Sequence, residues 1–509
     1  MSVRRTIATL FGAIVAAAAA SAAADEGALA LEDTLRALFQ GSPAFQIYGA
    51  QTREAEGAHL RAAGAFDVVA SAALTGQRQL LNNASGTPTS DGYADLSFRT
   101  GLATRTRQNI ALQLSGSLPL VSTLDVASSP DQPQVGATLV LPLLKLGRAA
   151  GPGADERTAE LHAEAATSSQ RDGEADLAAR VAESYWRWVG SYEQLKLVRR
   201  LEELALDQMH DVDQLIAQHA RAAADRLPLV AAADNATAVR VQAEQFLFTQ
   251  QQVLWETIGV VPPAARALPA DTLPIVPAAL PEAAELAERG RHLAASRPLF
   301  TALARESRAA AVRAEAARIG KRPDLDLVAQ AMATRVEASS MTSAPNAASR
   351  ASAAGAQAGL GYYGSLALQF SLPLQNRAAR GALAQAEAAY AQLTLSLQQQ
   401  RNAVALRIDA LSSELVALSR THQQRTRAAQ QLQLAYEAER ARFRLGTATA
   451  MTVVLAEQQY MSASLAAVGD RVAYAVTLTR LLRESGRLGA AVELRDAAAA
   501  ARALMTSIP

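Results

Sequence analysis

The chain has 509 residues, with 49 Lys and Arg against 48 Asp and Glu, and no Cys. That balance gives no electrostatic basis for a nucleic-acid binder or a polybasic membrane-surface protein, and the missing Cys excludes disulfide frameworks, thiolate zinc sites, Cys nucleophiles and a lipidated N-terminal Cys. Aromatics are 5% although hydrophobic residues reach 50%, so this Ala-rich chain reads as long helices rather than one large globular core.

In chain order, Arg4 and Arg5 precede an apolar run from Thr6 to Ala20, and Ser21-Ala22-Ala23-Ala24 supplies small residues before Asp25. This is the pattern of a secretory signal peptide over residues 1–24. No later stretch is apolar for long enough to be a helical membrane span, so an exported chain that enters a membrane does so as strands closing a barrel.

The rest reads as two halves built alike. A first repeat is expected over residues 25–258, a Pro-rich linker over 259–281, a second repeat over 282–487 and a tail over 488–509. Ser42-Pro43-Ala44-Phe45 and its Ala-rich helix are answered by Arg297-Pro298-Leu299-Phe300 and another. Leu141-Pro142-Leu143 is answered by Leu372-Pro373-Leu374. Each half then runs helix, strands, very long helix, turn, helix.

Period-two alternation marks the strands. In the first half it covers Phe66 to Leu74, Ile110 to Leu118 and Val135 to Leu141; in the second, Asp324 to Ala333 and Ser365 to Leu372. Such segments suit the wall of a water-filled barrel or a soluble sheet with one buried face, and alternation alone does not separate the two. The helices do. From Ala382 to Leu445 there is no Gly or Pro, and at 1.5 Å per residue that stretch is roughly 95 Å if unbroken. Its apolar seam at Leu383, Ala386, Tyr390, Leu393 and Leu397 has coiled-coil spacing. The counterpart, Ala154 to Leu227, is interrupted only by Gly173 and Gly190. Helices this long need partner helices, from the other half and from other copies.

Several short signatures now line up. They are Ser42-Pro43 with its Ala-rich helix, Val140 to Leu144 with Gly147-Arg148, Val181 to Trp186, Ser371 to Leu374 with Asn376-Arg377, and Arg442 to Thr449. Taken in order, duplicated and behind a signal peptide, they resemble the TolC-like outer-membrane factor family. The resemblance implies an α+β membrane protein. Three copies would share a twelve-stranded outer-membrane barrel, four strands from each, continued by a periplasmic coiled-coil tunnel. It implies a passive exit duct for a tripartite efflux pump or a type I secretion system, in the outer membrane of a Gram-negative bacterium. The partners implied are a homotrimer, a periplasmic adaptor (a membrane fusion protein), through it an inner-membrane transporter, and outer-membrane lipid.

The same resemblance places adaptor-docking tips at Arg444, Leu445, Gly446 and Thr447, and at Asp225, Arg226, Leu227 and Pro228. Gly446 is expected to end its helix at positive φ, with Thr447 or Thr449 capping the next. The first-half tip lacks the Gly, and Asp225 or Pro228 is read as its turn-maker. Thr452 and Leu455 are placed at a tunnel-mouth constriction that lacks the acidic ring of some relatives. Pro142, Gly147, Pro373 and Asn376 mark the strand-to-helix crossings. A hairpin within about Asn82 to Val121 is assigned to an extracellular loop or barrel-rim insertion rather than to two further wall strands, which would make an eighteen-stranded barrel.

Other constellations take plainer readings. Asp207, His210, Asp211 and Asp213 form a solvated charged face rather than a metal site. Tyr185-Trp186-Arg187-Trp188 is bundle packing or an interfacial aromatic belt. No phosphate loop, nucleophile elbow or paired-His zinc motif is present, so neither enzyme activity nor a cofactor is expected. The competing reading is a periplasmic coiled-coil adaptor without a channel, which predicts one hairpin rather than two.

Overall fold

The computed structural model describes residues 28–79, 93–122, 133–261, 267–336, 359–493 and 495–506. The expected signal peptide lies outside them, as do residues 82–92 of the expected insertion. Among the described residues no helix is long and apolar enough to cross a membrane.

The elements are β1 (Ala28–Leu29), α1 (Leu31–Gly41), α2 (Pro43–Ala63), β2 (Val69–Gln79), β3 (Tyr93–Arg105), β4 (Ala111–Ser122), β5 (Gln134–Pro142), α3 (Pro152–Ala217) and α4 (Arg226–Ile258). There follow β6 (Leu268–Pro269), α5 (Ala283–Ala294), α6 (Pro298–Gly320), β7 (Asp324–Val336), β8 (Gly359–Ser371), α7 (Arg377–Arg444), α8 (Ala450–Glu484), α9 (Arg487–Glu493) and α10 (Ala497–Thr506). The long helices α3 and α7 have 66 and 68 residues, and the helices after them, α4 and α8, have 33 and 35.

The chain divides into two units. One comprises Met1–Thr52, Thr167–Ala302 and Leu397–Pro509 and is helical. The other comprises Arg53–Ala166 and Leu303–Ser396 and holds the large sheet. All four boundaries between them fall inside helices, α2, α3, α6 and α7.

The helical unit has a true core. Leu31, Leu35 and Leu38 recur on one face of α1 and are fully buried, together with Tyr185, Trp186 and Trp188 of α3 and Leu254 and Ile258 of α4. The aromatic trio therefore packs inside the bundle and is not an interfacial belt. Tyr185 adds a polar anchor, its hydroxyl donating to Asp271 Oδ2 (2.8 Å) and the Leu29 carbonyl (3.0 Å). Asp271 Oδ2 also accepts the Leu31 N–H at 2.7 Å, satisfying a free donor at the start of α1. The Pro-rich linker is thus tied down. Its β6 pairs parallel with β1, Leu273 is buried, and the Pro277 carbonyl accepts from Ser419 Oγ (2.9 Å). In the described part of the expected tail, Ala501 and Leu504 of α10 are buried in the same core.

A buried ion cluster crosses this core. Arg297, 4% exposed, donates to Asp172 (2.9 Å) and Glu484 (2.6 Å), and Arg483 donates to the same Asp172 (2.9 Å). Burial opposes the Arg297 charge, but Asp172 and Glu484 outweigh it and push its pKa up.

Two of the glycines inside α3, Gly173 and Gly190, mark close helix approaches. A Cβ on Gly173 would meet the Tyr48 ring at 2.5 Å, and one on Gly190 would meet Val472 Cγ2 at 2.2 Å. Ala is ordinarily favoured over Gly in a helix by about 0.5–1 kcal/mol, whereas overpacking against a stiff β-branched neighbour costs about 1–3 kcal/mol. The clash wins, so Gly190→Ala is expected to lower the thermal unfolding midpoint of the helical signal in circular dichroism; an unchanged or raised midpoint would contradict the close approach.

Candidate barrel wall and docking tips

The sheet unit carries six antiparallel strands in the order β2-β3-β4-β5-β7-β8. The sheet thus holds the four strands expected in the barrel together with two more, β3 and β4. β3 and β4 fall in the region assigned to a loop or rim insertion, yet they lie in the sheet between β2 and β5, β3 pairing with β2 over Tyr93 to Ala103 and β4 with β5 over Ala111 to Ser117. β3 gives little signal in the sequence, because Thr100 and Gly101 interrupt its alternation and Asp95, Arg99 and Arg105 stand within it.

The register fixes two unlike faces. Leu74 pairs with Phe98, Phe98 with Leu118, Leu112 with Leu139, Leu139 with Ala329, and Ala329 with Leu366. Because side chains alternate along a strand and paired residues share a face, these residues define one apolar face across all six strands. That face is open on β2, β4 and β8, where Leu74 is 64% exposed, Leu114 44% and Leu368 64%, and half-buried at Leu139 and Ala329. The opposite face carries Ser71, Arg99, Gln113, Ser115, Thr138, Gln330 and Gln369. β2 and β8 end the sheet, each with one unpaired edge among the described residues.

Both expected crossings lie in this unit. Pro142 closes β5, where Pro's missing N–H ends a ladder without leaving a donor unpaired. The chain then turns through Gly147 (φ +121°) and Gly151 (φ +56°) before Pro152 opens α3. Pro373 follows β8, and Asn376 takes the left-handed conformation (φ +44°) next to the first residue of α7. Asn376 Nδ2 donates to the Lys321 carbonyl (2.8 Å) and Lys145 pairs with Asp324 (2.5 Å), so each crossing is tied to the segment between α6 and β7.

The two helical hairpins end in the helical unit, and their first helices stop in the same way. At the end of α7, Gly446 has φ +84°, its N–H donates to the Phe443 carbonyl (3.0 Å), and the Thr447 N–H donates to Arg442 (2.9 Å). At the end of α3, His219 has φ +59°, its N–H donates to Ile216 (2.9 Å), and the Ala220 N–H donates to Leu215 (2.9 Å). Both are Schellman stops, which bring unpaired carbonyls of the last turn to backbone donors. The first-half turn-maker is therefore His219, not Asp225 or Pro228. Pro228 lies in the first turn of α4, where its missing N–H leaves no helical bond unmade. In the second half Thr449, not Thr447, caps α8, with its Oγ1 accepting the Thr452 N–H (3.3 Å).

Arg221 clamps the tips together. Its Nη2 donates to the Phe443 (2.5 Å) and Ala448 (2.8 Å) carbonyls, its guanidinium lies 4.4 Å from the Phe443 ring centroid, and Asp225 is its counter-ion at 3.6 Å. Asp211 accepts from Arg444 (2.5 Å) and Arg440 (2.9 Å), while Asp213 accepts from Arg226 (2.7 Å). One layer further in, Gln208 Nε2 donates to Tyr436 (2.6 Å) and Glu457 (3.0 Å). Burial pushes Glu457 up, only partly opposed by Gln208 and Arg440. Burial also raises Asp211, but Arg444 and Arg440 outweigh it and hold that carboxyl below its ordinary range. Sequence reasoning missed His219, Arg221 and Gln208. His is among the non-glycine residues enriched at positive φ, which was the one available hint; nothing local marks Arg221.

Leu227 and Leu445 stand out from the tips at 72% and 80% exposure. Beyond the second turn Val453 and Val454 are buried, whereas Thr452 and Leu455 face outward, Leu455 at 53% exposure.

No family profile and no curated protein matches the sequence. Solved structures do match. CusC, which forms a transmembrane channel, has 15% identity, covers 90% of this chain and 92% of its own, and has a TM-score of 0.65. The outer membrane protein VceC of Vibrio cholerae has 16% identity, 90% and 96% coverage, and a TM-score of 0.63. The open MtrE outer membrane channel of Neisseria gonorrhoeae has 15% identity, 90% and 88% coverage, and a TM-score of 0.61. The chain has the fold of these outer-membrane channels.

The tip carboxylates make opposite contributions with pH. Asp211, lowered on folding, adds stability that is present above its unfolded value near 3.9 and lost as pH falls through its folded value. Glu457, raised on folding, adds stability that is present below about 4.3 and lost as pH rises through its folded value. Asp211→Ala removes a partly solvated pair worth about 0.2–1 kcal/mol. Amide exchange in residues 436–446 at neutral pH is expected to quicken by up to about fivefold, and to change little on the same substitution well below pH 3.

Proposed function

We propose that the protein is an outer-membrane exit duct, the passive channel of a tripartite efflux pump or a type I secretion system. The observation that carries this reading is the sheet, with its largely exposed apolar face, its polar opposite face and, among the described residues, its two open edges. A soluble sheet with one buried face would cover those leucines with its own helices. In hydrocarbon they need no cover, but every backbone N–H and C=O does need a partner. An isolated sheet leaves β2 and β8 unsatisfied, so the edge of β2 in one copy pairs with the edge of β8 in the next. Head-to-tail pairing of this kind closes a ring. Three copies in that ring are what the resemblance to outer-membrane factors implies.

On this reading the polar face lines a water-filled pore, and the long helices form a periplasmic tunnel. Tyr390 of the expected α7 seam is left 42% exposed in one chain; a neighbouring copy covers it. The tips at Arg444 to Thr447 and at Asp225 to Pro228 meet a periplasmic adaptor, and the exposed Leu227 and Leu445 are its apolar contacts. Thr452 and Leu455 line the mouth. The two tandem halves, residues 25–258 and 282–487, supply two hairpins per copy and hence six docking tips in a trimer. Energy comes from the inner-membrane transporter that the adaptor recruits.

Because the chain lacks Cys, one Cys at Thr447 carries a photo-crosslinker cleanly. In living cells it is expected to capture an adaptor together with its transporter, from a protein that fractionates with the outer membrane and migrates as a trimer in mild detergent. A soluble periplasmic monomer that captures neither would overturn the duct and leave the coiled-coil interaction protein.

A further inference from the structure

We propose that each copy builds six strands into the membrane wall, the β3–β4 hairpin standing in it as two full staves, so that a trimer closes an eighteen-stranded barrel. This rests on the duct reading and changes its bore.

Length is the first argument. β3 and β4 have 13 and 12 residues, beside 11 in β2 and 9 in β5. A strand needs about 9–11 residues to cross the hydrocarbon at a tilt, so the hairpin is as long as the wall around it.

Patterning is the second. Phe98, Leu102, Leu112, Leu114 and Leu118 all lie on the apolar face and are 38–48% exposed. Their strand neighbours Arg99, Gln113 and Ser115 lie on the polar face. A hairpin projecting into water beyond the rim has no need of such a lipid-facing side.

The third argument is where the hairpin turns. The bend over Thr106 to Ile110 lies at the helix end of the sheet, against the crossing from β5 to α3. Arg107 makes three hydrogen bonds to the largely buried Glu156 carboxylate, at 2.7, 2.8 and 3.0 Å, and its guanidinium lies 5.2 Å from the Phe66 ring centroid. Gln108 accepts the Gly147 N–H at 3.1 Å. A Cβ on Gly153 would come within 2.9 Å of the Arg107 carbonyl. The turn is therefore seated on the residues before β2 and after β5, its two flanking strands. A loop on the outer rim would turn at the opposite end of the sheet.

Barrel diameter grows roughly linearly with strand number, so eighteen strands give a bore about 1.5 times that of twelve. Barrels of this size leave an open aqueous channel, wide enough for bulkier cargo than a twelve-stranded wall passes.

Single nitroxides on the full-length protein in liposomes test this. Labels would replace Phe98, Arg99, Leu102, Gln113 and Leu114 on the hairpin, and Leu368 and Gln369 on β8, which is a wall strand at either strand count. For each label the ratio of oxygen to water-soluble nickel-chelate accessibility is measured, together with the native mass of the assembly. The ratio is expected to exceed one at Phe98, Leu102, Leu114 and Leu368 and to fall below one at Arg99, Gln113 and Gln369, in a three-copy particle. Alternation at Leu368 and Gln369 with uniform water access along the hairpin overturns the six-strand wall and leaves the duct standing. Loss of alternation at Leu368 and Gln369 overturns the duct itself. A copy number other than three overturns the count of eighteen.

Discussion

A backbone in hydrocarbon has no water to satisfy its polar groups, and the proposed barrel wall has to answer to that requirement. One chain supplies a six-stranded sheet whose two end strands each have an open edge. Such a sheet is not a finished object in a membrane; it becomes one when its edges meet edges of other copies. The apolar face, the polar face and the need for partners all follow from the same period-two pattern read across a single register.

The passage from strand to helix is the next demand. Ladder bonding has to stop and helical bonding has to start within a few residues. Pro142 and Pro373 end the ladders, and Gly147 and Asn376 take left-handed backbone to redirect the chain. The first crossing is also where the inserted hairpin is fastened, through Arg107 and Glu156. Arg107 holds the Glu156 carboxyl below its ordinary range, the direct hydrogen bond being the largest cause.

At the tips one backbone solution is reached with different residues. Gly446 adopts positive φ without a steric penalty, whereas His219 carries a side chain into the same region. The first hairpin gains a compensating contact in Arg221, which satisfies carbonyls of the second hairpin and stacks on Phe443. Pairing across the two hairpins, rather than the turn sequence alone, holds that end in place.

The sequence by itself determined the helices, the strand faces and the crossings, because these depend on local periodicity and on the backbone limits of Pro, Gly and Asn. Leu366, Leu368 and Phe370 declare their face in any context, and an uninterrupted run such as Ala382 to Leu445 has no local reason to stop. The order of the sheet was not legible, since β3 takes its place in it through its partners β2 and β4 and not through its own weak alternation. The role of His219 and the grips of Arg221, Arg107 and Asp211 were equally hidden. Each depends on groups far away in the chain, and only tertiary packing decides which distant carbonyl, ring or carboxylate comes within hydrogen-bonding reach.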